Sequence, residues 1–204
     1  EVMFGCSRSE MIGEVPYGRF SPDFQPDGKS SNEAALARIA EFHAGAIQPF
    51  EWKHSKWDGT LFDAEVSLNV IEVKGKKYLQ SIVRDISERK KVEARYQSMY
   101  NNAIDGIYQS TLEGQFLSVN PAMARIHGYD SPQEMMEDIT DIANQLYINV
   151  EDRKEFLRIQ TEKGVVENFE IERLRRDVKK IWVSISSMAV KYDAWEIVYL
   201  EGTV

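Results

Sequence analysis

The chain has 204 residues and a formal net charge of -8. That length allows one or two domains, and the acidic balance argues against general nucleic-acid binding, which wants a basic face. One cysteine excludes an internal disulfide and fits a reducing compartment, no apolar run approaches membrane-spanning length, and no secretory signal is visible.

In chain order, residues 9–13 read as a short helical turn, and 21–30, rich in Pro, Gly, Ser and Asp, as a loop. A helix should follow, with Ser30 as N-cap and Glu33 returning a capping-box bond. Leu36, Ile39, Ala40 and Phe42 keep helical spacing, and Gly45 suits the left-handed closing position. Three strands come next, at 48–55, 61–72 and 77–86, separated by turns at Asp58-Gly59 and Lys74-Gly75-Lys76. In the second, Ala64, Val66, Leu68 and Val70 alternate with polar residues, the period of a half-buried antiparallel strand. Asp85 is placed to cap a further helix, with Glu88 at the third helical position. Val92, Tyr96, Met99 and Ala103 recur at spacings of four and three, a short heptad seam.

Beyond that helix, 106–110 and 115–119 read as a hairpin through Glu113-Gly114. Asn120-Pro121 is an N-cap with proline in the first turn, and Ser131-Pro132-Gln133-Glu134 repeats that logic with a capping box. Asn149 should cap a helix over 150–163, closed by Gly164. Strands follow at 166–174, 181–190 and 197–204. The basic run Arg173-Leu174-Arg175-Arg176 with Lys179-Lys180 straddles the turn between the first two strands and reads as a solvated hairpin tip.

The chain echoes itself. Phe50-Glu51-Trp52, Asp58-Gly59-Thr60, Val66-Ser67, Tyr78-Leu79 and Val83 are answered roughly 120 residues later by Phe169-Glu170-Ile171, Asp177, Ile185-Ser186, Tyr199-Leu200 and Val204. The offset is too long for a solenoid repeat and is domain-sized. Several strings resemble recurrent sequence of the PAS domain. In the second copy they are Asp105-Gly106-Ile107-Tyr108, Val119-Asn120-Pro121-Ala122, Ile126-His127-Gly128-Tyr129, Ile181-Trp182-Val183-Ser184 and Glu201-Gly202-Thr203-Val204. In the first they are Phe4-Gly5-Cys6-Ser7, Phe50-Glu51-Trp52 and Val83-Arg84-Asp85-Ile86-Ser87-Glu88, the last close to the signature that ends a PAS domain and opens its output helix.

The resemblance implies an α+β architecture of two PAS folds, each a five-stranded antiparallel sheet with helices on one face. The expected divisions are 1–86, 87–102 as a connecting helix, and 103–204. The first copy lacks its first two strands, which leaves the edge of 77–86 to be covered by upstream strands or by a partner chain. Val178 stands where the family's hairpin carries glycine, so a wider turn is expected there. A ligand pocket in the second copy would be lined by Ile107, Phe116, Met123, Ile126, Phe169, Ile171, Val183 and Tyr199, with an ordinary filled core as the alternative. Signal transmission would run through Asp85, Ile86, Ser87 and Glu88 into the seam of Val92, Tyr96 and Met99.

No cofactor is assigned. The reactive-cysteine string of flavin photosensors is absent, and Cys6 reads as a plain small residue. None of His43, His54 and His127 stands where haem-binding members carry their axial ligand, and no Cys/His cluster suggests a metal. No catalytic motif is present. The resemblance implies a non-catalytic, cytoplasmic piece of a longer bacterial signalling protein, whose parent is open to membrane attachment elsewhere. It is expected to bind a small ligand or partner, to form a homodimer, and to contact neither nucleic acid nor membrane. The expected output is a histidine kinase of a two-component system. The alternatives are a diguanylate cyclase output or a pure dimerisation scaffold.

Overall fold

The computed structural model describes residues 2–45, 48–191 and 197–204. The chain divides into two compact units, Glu1–Ala94 and Arg95–Val204.

The N-terminal unit contains α1 (Arg8–Met11), α2 (Ser31–His43), β1 (Phe50–Ser55), β2 (Leu61–Val73), β3 (Lys76–Asp85) and the first half of α3 (Ser87–Asn102). Ser7 caps α1 with a full capping box to Glu10. Ser30 precedes α2 without a side-chain cap bond. The serine that works there is Ser31, which donates to the Pro22 carbonyl and accepts from Gln25 Nε2. Gly45 closes the helix with φ +101°. Along β2 the alternation is real at Phe62, Ala64 and Val66, all buried, and fades outward until Val70 is exposed.

These strands form an antiparallel sheet in the order β1-β2-β3. The expectation of a five-stranded sheet in each half is thereby corrected, since this unit holds three strands. The reason is local: among the described residues, those ahead of β1 form helices, turns and bends, and their one β contact is an isolated bridge between Phe24 and Ser30, in keeping with the two strands its sequence lacks. The two edges differ. On β1, the Gln25 carboxamide accepts from the Lys53 N–H (2.9 Å) and donates to the Lys53 carbonyl (3.2 Å), imitating a neighbouring strand. On β3, no strand or side chain among the described residues pairs with the backbone on the side away from β2.

The C-terminal unit carries the rest of α3, then β4 (Ile107–Ser110), β5 (Phe116–Val119), α4 (Pro121–His127), α5 (Pro132–Asp138), α6 (Ile142–Gln145), α7 (Val150–Lys163), β6 (Val165–Leu174), β7 (Lys180–Lys191) and β8 (Ile197–Thr203). Its sheet is five-stranded and antiparallel, in the order β5-β4-β8-β7-β6. One face of the sheet carries the core, where Tyr108, Met123, Met135, Phe156, Ile171, Ile185 and Leu200 are buried together. Asn120, Ser131 and Asn149 cap α4, α5 and α7 as their spacing predicts, and Gly164 ends α7 at φ +76°. Glu134 reaches back to the N–H of Asp130, one residue ahead of the cap. Four-residue α6, capped by Asp141, was not anticipated.

The hairpin at Asp177-Val178 is tight, not wide. Val178 donates to the Arg175 carbonyl and Arg175 to the Lys179 carbonyl, both at 2.9 Å, and Val178 takes φ +56° to close it. A β-branched residue is strained there. Of the basic run, Arg176, Lys179 and Lys180 are exposed at the hairpin tip as expected, and only Arg173 is corrected: register places it opposite Ile181 on the core-facing side, and it is 3 % exposed.

Candidate functional site

The passage from β3 into α3 is fastened by polar side chains within the N-terminal unit. Asp85 accepts a bond from the Ser87 N–H (2.8 Å), and Ser87 Oγ accepts one from the Asp63 N–H (3.0 Å). Lys90, one turn into the helix, reaches the carboxylates of both Glu51 on β1 and Asp63 on β2, and Lys53 also pairs with Asp63. The Lys53 bond foremost holds the Asp63 carboxyl below its ordinary range. Ile86 is buried between these groups in sequence. Glu88 pairs with Lys91 and makes no return bond to the cap among the described residues. Asp85 was expected as the cap residue, but the helix begins at Ser87 and Ile86 takes the cap position, with Asp85 one residue ahead of it. Glu51, Lys53, Asp63 and Lys90 were not singled out, because their partnership exists only once β1, β2 and α3 are assembled.

Further along α3, Val92, Tyr96 and Met99 are 67 %, 64 % and 69 % exposed. The predicted seam is thus a solvent-facing apolar stripe. Tyr96 stacks on Tyr100, whose hydroxyl donates to Ser118 Oγ.

The N-terminal unit holds a cleft of about 430 Å³, lined by apolar side chains including Phe20, Phe50, Trp52, Val66 and Leu79. His54 is its buried polar member. Its Nδ1 donates to the Phe20 carbonyl (2.8 Å), leaving Nε2 a lone-pair acceptor with no partner among the described residues. Burial lowers its pKa below the ordinary imidazole value. Trp52 is satisfied by Ser21.

In the C-terminal unit the eight pocket candidates divide. Met123, Ile171 and Val183 are buried in the core, with Phe116, Ile126 and Phe169 packed against them. Ile107 and Tyr199 alternate with buried Tyr108 and Leu200 and so face the other side of the sheet. Ile107 lines an open groove of about 1080 Å³ on that outer face, together with Tyr96 and Met99 of α3 and Met188 of β7.

Beneath the sheet lies a polar centre, of which His127 and Arg153 stand in the family-like strings Ile126-His127-Gly128-Tyr129 and Asp152-Arg153 without a role having been read for them. Arg153 and Arg173 are 5 % and 3 % exposed, and their Cζ atoms lie 5.8 and 4.9 Å from the centroid of the Tyr147 ring. Nearby His127 is fully buried. Its Nδ1 donates to the Met123 carbonyl, and burial, followed by the charge of Arg173, lowers its pKa to about 4.

Antiparallel sheets, helices over one face and a last strand that leads into a long helix define a small α+β module. A family model described as PAS domain matches residues 1–88 and again 104–200. The chain belongs to the PAS domain family, and like its other members is a non-catalytic sensory module of signal transduction. A domain of a sensory box sensor histidine kinase/response regulator from Geobacter sulfurreducens is similar at 20 % identity, covering 58 % of this chain and 96 % of that one, with a TM-score of 0.45. A PAS domain from Colwellia psychrerythraea is similar at 17 % identity, covering 55 % and 93 %, with a TM-score of 0.46. An RNA-binding light-oxygen-voltage receptor is similar at 11 % identity over 99 % of this chain and 88 % of that one, with a TM-score of 0.42. No curated protein matches. No helix among the described residues is long and apolar enough to cross a membrane.

Proposed function

We propose that the chain is a tandem PAS sensory segment, with domains at 1–86 and 103–204 joined by a helix at 87–102. In this reading it binds a small ligand, forms a homodimer, and regulates a downstream histidine kinase of a two-component system. The observation that carries the reading is α3. Its first turn is tied to the sheet of the N-terminal unit through Asp63, Lys90 and Ser87, and its next turns expose Val92, Tyr96 and Met99. A shift of β3 thereby becomes a movement of an apolar stripe suited to pairing with its own copy. Only an element with two discrete arrangements can pass a signal, and a seam of two heptads with tyrosine at its centre is weak enough to have them.

A second reading, a dimerisation scaffold without ligand, draws on the packed surroundings of Met123, Phe169, Ile171 and Val183. The cleft around His54 favours ligand binding instead. Two measurements on the whole chain test the proposal. Sedimentation velocity should show a dimer that Tyr96→Glu dissociates; an unchanged profile removes the helix seam. Native mass spectrometry should show a retained small molecule; a dimer with none favours the scaffold.

A further inference from the structure

Four arginines outside the core pair with acids, and the two most buried arginines do not. Arg158 sits between Glu155 and Glu162, Arg38 pairs with Glu41, Arg176 with Glu134, and Arg175 lies 3.7 Å from Asp177. Arg153 and Arg173 are more buried than any of these, and no carboxylate among the described residues is within ion-pair distance of either.

Hydrogen bonding does not make up the difference. A guanidinium offers about five N–H donors. Among the described residues, Arg173 donates to the Tyr147 hydroxyl (3.2 Å) and Arg153 to the Leu112 carbonyl at the long distance of 3.5 Å. Arg173 Nε is shielded from solvent with no acceptor. The Tyr147 ring attracts both cations, but a cation–π contact recovers only part of the penalty for taking a charge out of water. Asp141 feels the charge of Arg153 yet is engaged by the side chain of Asn144. The neighbouring His127 presents a neutral ring whose Nε2 is likewise unpartnered.

We propose that Arg153, Arg173 and Tyr147 form an interior oxyanion site in the C-terminal unit, which takes the carboxylate or phosphate group of a small metabolite. The anion supplies the missing countercharge and accepts from the guanidinium edges that Tyr147 and Leu112 leave free. Arg173 Nε is the donor that fixes its orientation. This deepens the sensory reading by naming a ligand class, and rests on that reading only for what binding would signal.

The test is thermal unfolding of the whole chain titrated with sodium phosphate, and separately with sodium acetate, against sodium chloride at matched ionic strength. A saturable rise in midpoint is expected with at least one oxyanion, and the stronger of the two identifies the headgroup. Arg173→Met and Arg153→Met should each weaken the apparent affinity by about tenfold or more. In parallel, the His127 imidazole resonance of the unaltered chain, assigned by its loss in His127→Gln, should move with the same saturation curve. No saturable response of the unaltered chain overturns the proposal, as does a response that survives both arginine substitutions. If Arg173→Met does not fold, Arg153→Met and the His127 resonance decide, and a resonance that stays still through saturation overturns it. A chain that dimerises through α3 but ignores oxyanions sinks this inference alone. A chain that binds them and never dimerises sinks the helix-seam reading alone.

Discussion

The carboxylate of Asp85 accepts a hydrogen bond of 2.8 Å from the backbone N–H of Ser87 at the point where β3 becomes α3. That bond is the foremost cause of the lowered Asp85 pKa. Asp85→Ala should destabilise the N-terminal unit by about 1 kcal/mol, read by urea unfolding at neutral pH, and Asp85→Asn, which keeps an acceptor but not the charge, should lose most of it as well. Because the folded pKa is depressed, the charged form's contribution is present above the ordinary carboxylate range and lost as pH falls through the folded value. The alanine and wild-type chains should therefore converge in stability under acid, and a constant gap would show that charge plays no part.

His127 predicts a different pH response. Its pKa falls from 6.5 in the unfolded chain to about 4 in the folded one, chiefly through burial. Below pH 6.5 the unfolded chain takes a proton that the folded chain refuses. Stability contributed by the neutral ring is complete above that pH and falls by up to about 1.4 kcal/mol per unit until the folded value is reached. Unfolding midpoints at pH 7 and pH 5 should separate more in wild type than in His127→Gln. Equal separations would place the proton elsewhere.

Val178 carries φ +56° and is 80 % exposed, so nothing packs around its side chain that glycine would forfeit. Val178→Gly should relieve the left-handed penalty, less the entropy glycine adds to the unfolded chain, for a net gain of about 1 kcal/mol. For a unit of this size that is a rise of about 4–8 °C in the midpoint of its thermal transition. An unchanged or lower midpoint would mean the turn is not strained.

Asn120 is fully buried and makes four bonds. Its Oδ1 accepts from the N–H groups of Met123 and Ile107, and its Nδ2 donates to the carbonyls of Tyr100 and Asp105. Asn120→Ala should cost well beyond an ordinary cap, about 3 kcal/mol or more, because buried backbone groups lose their partners. Hydrogen exchange should report it first at the Ile107 amide.

Asn120 also illustrates what sequence can and cannot say. Its role as a cap was legible from Asn-Pro spacing, as were Ser131, Asn149 and Gly164, because caps depend on neighbours within one turn. Its bonds to Tyr100 and Asp105 were not, since they join segments that meet only on folding. Strand positions were legible at β1 to β8, but the choice of face failed in β4 and β8. There Tyr108 and Leu200 point inward while Ile107 and Tyr199 do not, because hydrophobic residues occupy both parities. Arg173 was read as solvated because a charged residue near a turn usually is. Only the pairing with Ile181 turns it inward. The architecture of a five-stranded sheet in each half fails in the first, whose lack of the first two strands was already legible in its sequence, and no described residue before β1 supplies them.

The contrast between the two rims of the N-terminal sheet has a practical consequence. Gln25 blunts one side, while the outer side of β3, flanked by Tyr78, Leu79 and Ile82, offers a ribbon of peptide groups without a partner among the described residues. Such a ribbon templates any extended chain it meets, including another molecule's β3. Preparations at high concentration should creep toward larger species through this side, and the lysines at 76 and 77 are what slows them. Neutralising that pair would convert a soluble sample into one that precipitates on standing.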